Sequence, residues 1–282
     1  MNLLSINSQV VCGHVGNAAA VFVLERLGCE VWPIPSVLFS NHPGHGGFCG
    51  ESVDAQTIRD LVSGIEARNM LARCDGVLSG YLGEAATGSA VLEAVARVKA
   101  ANPAARYCCD PVIGDADRGV YVRAGIPELL RDRALPLADV ITPNQFELEQ
   151  LSGKSTPTLD AALAAIDALH ARGPRTILAT SVHTEETPKD SVDLITSDAA
   201  GRFRLRTPKL PTAVHGAGDA VAALFFVHLL RTGAAGAALS HAASAIFGVL
   251  ERTADAGADE MLLIAAQEEL VRPSRMFLAE PV

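Results

Sequence analysis

The chain has 282 residues, 49% of them hydrophobic and 20% charged, a balance that supports a large buried core and excludes a disordered chain. Its formal net charge of −9 at pH 7 argues against nucleic acid or an anionic membrane as the main partner. The 6 cysteines form no C-x-x-C pair, no stretch approaches the roughly 18 apolar residues of a membrane span, and no basic leader is visible. We therefore expect a cytoplasmic protein with reduced thiols.

The first predicted unit is a strand, a glycine-containing turn and a helix. Residues 3–7 are an apolar run, and residues 18–27 have helical character up to Gly28. Ser8 is expected just beyond the carboxyl end of the strand, where open α/β sheets place their ligands. A turn hydroxyl is an equal alternative for Ser8.

The next segment, residues 30–52, is predicted to form a small β lid at the edge of the sheet. Pro33 and Pro35 interrupt the apolar run 31–39; because proline removes a ladder donor, this run suits an edge strand or a flap. The glycine-rich residues 40–50 that follow are typical of a mobile loop. We favour a solvent-facing or substrate-contacting role for His42 and His45 over metal binding, since no acid or histidine at a matching spacing accompanies them.

Strands and helices alternate through the middle of the chain. Residues 54–68 form an amphipathic helix with Ile58, Leu61, Val62 and Ile65 on one side. The predicted strands are 76–79, 106–109, 140–142 and 175–181. The predicted helices are 85–101, 143–151, which has proline at its start, and 158–172.

The last part of the chain predicts a hairpin, formed by residues 191–196 and 202–205, and then helices that include 234–252 and 262–271. No linker or repeat is visible. The order of elements indicates one α/β domain over residues 1–282, with a mainly parallel sheet covered on both faces.

Polar residues follow the carboxyl ends of the predicted parallel strands. Asp110 and Asp115 lie in a short loop of the kind that can hold Mg²⁺ through water and phosphate, although turn and capping roles are equal alternatives. The others at this edge are Ser8, Tyr81, Thr142, Asn144, Glu147, Thr180 and Ser181.

Two glycines and an acid, at positions 216, 218 and 219, precede a predicted helix that starts at Ala220. Its first N–H groups have no intrahelical acceptor, and Gly216 and Gly218 allow an anion to approach them. Asp219 in the same turn can accept a proton from a phosphoryl acceptor. An ordinary N-cap is the alternative for Asp219. Together with the polar strand ends, the pattern favours a small-molecule kinase assisted by Mg²⁺.

These residues also carry a resemblance. The run from Gly216 to Asp219 resembles the G-x-G-D signature of the ribokinase-like superfamily, whose fold is a three-layer α/β sandwich. Within it the chain is similar to the pyridoxal kinases. The matching blocks are residues 8–17, 39–42, 79–81, 109–115 and 141–148. They run in the family order over almost the whole chain.

The resemblance implies an ATP-dependent phosphorylation of the 5′-hydroxyl of pyridoxal, with Asp219 as the base and Gly216, Ala217 and Gly218 as the anion hole. The substrate would contact Ser8, Val15, Pro43, Tyr81 and Asp219. ATP would contact Asp110, Asp115, Tyr121, Thr142, Asn144, Glu147, Thr180, Ser181, Thr207, Pro208, Lys209 and Leu210. Mg²⁺ would lie near Asp110, Asp115, Thr142 and Glu147. A monovalent cation such as K⁺ and a homodimer are also implied.

The lid departs from the family pattern. Pro43 stands where a threonine is usual, and Phe48 stands where a tryptophan is usual. These differences concern the choice of substrate more than the type of reaction. Two alternatives stay open: a hydroxymethylpyrimidine-type kinase of the same fold, and a catalytically slow protein that binds vitamin B6.

Overall fold

The computed structural model describes all residues from Met1 to Val282. Its strands are β1 Asn2–Val10, β2 Glu30–Phe39, β3 Gly50–Ser52, β4 Gly76–Ser79, β5 Arg106–Cys109, β6 Gly114–Asp115, β7 Gly119–Val120, β8 Val140–Ile141, β9 Thr176–Val182, β10 Ser191–Asp198, β11 Gly201–Pro208 and β12 Glu280–Pro281. Its α-helices are α1 Asn17–Arg26, α2 Ala55–Ala67, α3 Ala85–Ala101, α4 Ile126–Leu129, α5 Gln145–Ser152, α6 Leu159–His170, α7 Ala217–Thr232, α8 Ala235–Asp255 and α9 Gln267–Val271. None of these helices combines the length and apolar character needed to cross a membrane.

One sheet of 10 strands runs through the molecule in the order β12-β11-β10-β9-β8-β5-β4-β1-β2-β3. Its centre, from β9 to β2, is parallel. The antiparallel strands are β10, β11 and β12 at one edge and β3 at the other. A separate two-stranded hairpin is formed by β6 and β7. The predicted mainly parallel α/β architecture is confirmed.

Helices cover both faces of the sheet, and each face has its own core. Side chains of α2, α3 and α6, such as Ile58, Val95 and Ile166, pack on one face. Side chains of α1, α7 and α8 pack on the other, where Phe225 and Phe226 are fully buried. Neighbouring residues of a buried parallel strand point to opposite cores. Cys108 and Cys109 of β5 show this alternation. All of the cysteines are free thiols.

The proline-bearing strand β2 lies next to the sheet edge. It pairs with β1 along its length but with β3 only over Val37–Phe39. Pro33 and Pro35 therefore lie where no second neighbour needs their missing N–H groups. Residues 40–49 continue as a loop with one 3₁₀ turn, Pro43–His45. From here on, the lid means residues 40–49, the loop part of the segment 30–52.

Several predicted boundaries were wrong. Strand β1 continues to Val10, so Ser8 lies inside the strand and not beyond its end; the pairing register with β2 shifts between Asn7 and Gln9, at Ser8. Such a bulge turns a side chain away from the regular alternation. Leu61 was predicted on the apolar side of α2 but is 45% exposed, and the buried residues of this helix are Ile58 and Val62.

Three helix ends also differ from the prediction. Pro143 precedes the N-cap Asn144 and is not the first helical residue of α5. Helix α9 covers only Gln267–Val271, because the chain before it forms turns. Helix α8 continues to Asp255.

Candidate active site

A cavity of about 470 Å³ opens at the carboxyl ends of the parallel strands, between the lid and the start of α7. It brings together most of the polar residues that the sequence placed at this edge. The predicted residues on its wall are Ser8, Val15, Pro43, Tyr81, Asp110, Tyr121, Thr142, Asn144, Glu147, Thr180, Gly216, Gly218 and Asp219.

Two donors from the beginning of the chain hold the Asp219 carboxylate. The Nδ2 group of Asn7 donates to Oδ1 at 2.8 Å, and the Gly16 N–H donates to Oδ2 at 2.8 Å. Asn7 cannot turn its amide around, since its own Oδ1 accepts from the N–H groups of Ser8 and Tyr81. Asp219 is therefore fixed in orientation while it faces the cavity.

Asn7 was missed by sequence reasoning. It stands inside an apolar run of β1, is only 2% exposed, and contacts Asp219 from 212 positions away. A polar residue within a predicted buried strand was the available signal, because a buried amide must be hydrogen-bonded.

The protonation of Asp219 is set by opposing effects. Burial raises the pKa of the carboxyl above its usual range, and the hydrogen bonds from Gly16 and Asn7 oppose that rise. A carboxylate with a raised pKa is a better proton acceptor than a free one, provided that it is still ionised at the working pH.

The start of α7 depends on Gly216, which takes a left-handed conformation with φ of 89° as the N-cap. A Cβ at this position would lie 1.8 Å from the carbonyl oxygen of His14, so only glycine fits. The N–H groups of Ala217 and Gly218 in the first turn donate to no protein atom. The helix start is thus an open anion-binding position beside Asp219.

Asp110 faces Asp219 from the end of β5. The Oδ1 atom of Asp110 accepts a hydrogen bond from the Thr142 hydroxyl at 2.9 Å, and Asp110 is only 8% exposed. Burial raises the pKa of Asp110 well above its usual range, and the charges of Glu147 and Asp219 add to the rise. No lysine or arginine forms an ion pair with any of these three acids.

Glu147 is buried and already satisfied by backbone donors. Its Oε1 accepts from the Ile113 N–H at 2.9 Å, and its Oε2 accepts from the Asn144 N–H at 2.9 Å in a capping box. Burial raises the pKa of Glu147 to about 7. Asn144 also joins the loop by donating to the Gly114 carbonyl oxygen at 2.8 Å. Glu147 therefore shapes the loop around Asp110 as well as adding charge to the cavity.

Clustered oxygen ligands without a protein cation suit a hard divalent ion. Asp110 has the free Oδ2 lone pairs to bind one, and Thr142 adds a hydroxyl. Asp115 is less available, because both of its oxygens accept from Arg118, at 2.8 Å from the backbone N–H and 3.0 Å from Nε. It does not line the cavity, whereas Arg118 does, with its guanidinium 5.2 Å from the ring centre of Tyr121.

The end of β9 carries backbone strain. Ser181 has φ of 51°, one of two non-glycine residues with positive φ, and the pairing with β10 shifts register beside it. Strain of this kind clusters at functional sites. Thr180 faces the cavity, while Ser181 is exposed next to it.

The structure leaves some predicted residues outside the cavity wall. Ala217, Asp115 and Ser181 lie beside it, and Thr207, Pro208, Lys209 and Leu210 lie at the end of β11 and just after it. The nucleotide roles of these last four stay predictions. Conversely, the wall includes Arg118, Arg123 and His215, which had no assigned contact with substrate or nucleotide. It also includes His42, for which a solvent-facing or substrate-contacting role was favoured.

Comparisons with known proteins show what the whole chain is similar to. The family model described as phosphomethylpyrimidine kinase matches residues 53–262. A pyridoxal kinase PdxY of Granulibacter bethesdensis is 53% identical over 99% of this chain and 99% of its own length. The corresponding protein of Deinococcus radiodurans is 49% identical over 100% of this chain and 96% of its own. The solved structure of Leishmania donovani pyridoxal kinase in complex with ADP and pyridoxamine has a TM-score of 0.91 and 28% identity, covering 100% of this chain and 99% of that chain.

Proposed function

Because the chain belongs to the pyridoxal kinases, we propose that it transfers the terminal phosphoryl group of ATP to the 5′-hydroxyl of pyridoxal in vitamin B6 salvage. Pyridoxamine and pyridoxine carry the same hydroxyl and are further candidate substrates. The observation that supports this most directly is Asp219, held by Asn7 and Gly16 at a helix start with free N–H groups.

In this mechanism Asp219 accepts the proton of the substrate hydroxyl as its oxygen attacks the phosphorus. The oxygen–phosphorus bond to the transferred group forms, and the bond to the leaving ADP oxygen breaks. The N–H groups of Gly216, Ala217 and Gly218 stabilise the charge on the transferred phosphoryl oxygens. The fixed carboxylate contributes about 10²–10⁴ in rate as a general base.

Asp110 and Thr142 are the residues that would hold Mg²⁺, with Asp115 and Glu147 shaping their surroundings. The ion would neutralise phosphate charge when bound. The phosphates of ATP would contact Thr180 and Ser181, and its base would contact residues 207–210. Tyr121 and Asn144 would also contact the nucleotide. A monovalent cation such as K⁺ is proposed on the resemblance alone.

The substrate ring would lie between the lid and β1. Ser8 would hydrogen-bond to the ring, and Val15, Tyr81 and Pro43 would border it. Their common position on one cavity wall supports this placement. Pro43 offers no hydroxyl, so binding of the ring depends more on its apolar contacts with the lid.

We also propose that the whole chain acts as a single kinase domain and forms a homodimer. Size-exclusion chromatography with light scattering tests the oligomeric state. A strict monomer at micromolar concentration would contradict the homodimer.

A substrate panel tests the proposed activity. ADP release is measured with pyridoxal, pyridoxamine, pyridoxine and hydroxymethylpyrimidine under equal conditions, with Asp219→Asn as the control for background hydrolysis. Highest kcat/KM on a vitamin B6 compound is expected. Best turnover of the pyrimidine would support the alternative that the family model suggests, and binding of pyridoxal without ADP release would indicate a binding protein.

A further inference from the structure

Three histidines from distant parts of the chain meet at the mouth of the cavity. His42 and His45 belong to the lid, and His215 directly precedes the helix start at Gly216. One ring nitrogen of each lies within 4.8 Å of the others. The rings of His42 and His215 are stacked with their centres 3.8 Å apart, and His45 stands edge-on to both.

The nitrogens converge on a small space beside Gly44. A Cβ at Gly44 would lie 2.6 Å from Nε2 of His215 and 2.8 Å from Nδ1 of His42. The Gly44 N–H donates to that same Nδ1 of His42, so a metal ion would bind this nitrogen in place of that hydrogen bond. The three ring nitrogens thus lie close together, with His42 and His215 half-buried and His45 exposed.

An acid completes the group. Glu260 lies with its Oε1 3.1 Å from Nε2 of His45, and its carboxylate also lies against Gly13, where a Cβ would be 3.0 Å from both oxygens. A carboxylate next to an imidazole orients the ring of metal-binding histidines. Glu260 is close enough to His45 to fill this orienting role.

We propose that His42, His45 and His215, with Glu260 beside His45, form a binding site for a borderline transition-metal ion such as Zn²⁺. Imidazole nitrogens bind Zn²⁺ at about 2.0–2.1 Å, whereas Mg²⁺ selects oxygen ligands. The site is therefore chemically distinct from the oxygen-rich group around Asp110. Metal binding requires the stacked rings of His42 and His215 to rotate until their lone pairs meet at one point. The lid glycines Gly46 and Gly47 leave the backbone free to follow.

Two of the three histidines, His42 and His215, have lowered pKa values, which favours the neutral form near neutral pH. Burial, with the neighbouring His215, lowers the pKa of His42 to about 4. Burial and the charges of Arg118 and His45 lower the pKa of His215. Neutral imidazole is the form that ligates metals.

A bound ion would cross-link the lid to the loop before α7. His42 and His215 both line the cavity, so the ion would hold the lid against the anion-binding helix start and restrict the passage of substrate. This consequence rests on the proposed function, but metal binding itself does not.

Metal binding is tested on the full-length protein in a Cys12→Ser/Cys49→Ser background, which removes the exposed thiols as competing ligands. Zn²⁺ affinity is measured by competition with a chromophoric chelator in excess Mg²⁺, and Co²⁺ is added separately to record its visible ligand-field absorption. We expect one Zn²⁺ per chain and a tetrahedral Co²⁺ spectrum. His45→Gln should weaken Zn²⁺ binding by at least about tenfold, since even partners outside the ligand shell contribute about 10–100-fold.

The matched control is His241→Gln, which changes an exposed histidine stacked on His228 away from the lid. It should leave the Zn²⁺ affinity and the Co²⁺ spectrum unchanged. The proposal is overturned if the protein binds no Zn²⁺ in this background, if His45→Gln binds as tightly as the parent, or if only His241→Gln loses the ion. Circular dichroism of each variant shows that a loss is not caused by unfolding.

Discussion

Exchanging the side chains of Asn7 and Asp219 separates the catalytic role of Asp219 from its structural role. In Asp219→Asn the new amide must present an NH₂ group to one of two fixed donors, the Asn7 Nδ2 or the Gly16 N–H. Asn7 cannot adapt, because its Oδ1 already accepts from two backbone N–H groups. One buried donor is left without an acceptor, which costs about 1–3 kcal/mol.

The second change, Asn7→Asp, repairs this mismatch. A carboxylate at position 7 accepts from the NH₂ now at position 219 and still accepts from the N–H groups of Ser8 and Tyr81. The Gly16 N–H keeps its acceptor on the amide oxygen at position 219. We therefore expect the double variant to recover about 1–3 kcal/mol of the free energy of unfolding relative to Asp219→Asn.

Catalysis should not recover with stability. In the double variant the carboxylate is at position 7, and position 219, which must accept the proton, carries an amide. We therefore expect kcat to stay lower than that of the parent by a factor of about 10²–10⁴. Steady-state ADP release gives kcat, and urea unfolding gives the stability. A double variant that regains kcat would refute the assignment of Asp219 as the base. A double variant no more stable than Asp219→Asn would refute the hydrogen-bond reasoning.

Four further predictions follow from the same geometry. Gly216→Ala should destabilise the loop and abolish activity because its Cβ has no room and φ is positive, whereas Gly218→Ala, where a Cβ meets nothing within 4 Å, should fold normally; equal melting temperatures for the two would contradict this. Pro43→Thr should lower the Kd for pyridoxal by a few-fold to tenfold, equivalent to about 0.5–1.5 kcal/mol for one hydrogen bond, as measured by calorimetry. Asp110→Asn should mainly raise the Mg²⁺ and ATP concentrations needed for half-maximal rate, and an effect confined to the KM for pyridoxal would be inconsistent with its role. Because the pKa of Glu147 is raised from 4.5 to about 7 in the fold, its protonation stabilises the fold fully below pH 4.5, and this contribution is lost as the pH rises through about 7. The melting temperature without ligands should therefore fall between these pH values, and it should fall less in Glu147→Gln than in the parent.

The regular elements were largely readable from the sequence. The spans of α3 and β5, for example, agree with the prediction, since an apolar pattern and the following Asn102-Pro103 mark where α3 ends. The extension of β1 to Val10 was not readable, because Ser8 and Gln9 are polar and the strand continues only through the pairing of Gln9 and Val10 with β2. Tertiary pairing, and not local pattern, determines such ends.

The site was predictable as far as its polar residues follow strand ends. Asp110 and Thr142 were found in this way, and Asp219 was found from the glycines at the start of its helix. The sequence did not predict which carboxylate oxygens stay free for a ligand. Asp115 and Glu147 accept hydrogen bonds from backbone N–H groups, and these groups reach them only when the loop is folded. Arg118, three residues after Asp115, was a local signal for the first of these contacts.

The His215 contact with the lid illustrates the same limit. The sequence showed His42 and His45 without a partner at a useful spacing, and metal binding was therefore disfavoured. The third histidine is supplied by the loop that precedes α7, far along the chain. A spacing argument within one segment cannot detect a cluster that three-dimensional folding assembles.

The hydrogen bond from Gly16 to Asp219 joins residues 203 positions apart. During synthesis at about 5–20 residues per second, the amino-terminal donors would wait about 10–40 s before the acid that they orient is made. Strand β1 must meanwhile pair with β2 and β4 without α7 to cover Leu3. The nascent chain thus exposes part of an apolar sheet face until its last quarter emerges. Aggregation or chaperone binding competes most with folding during this interval.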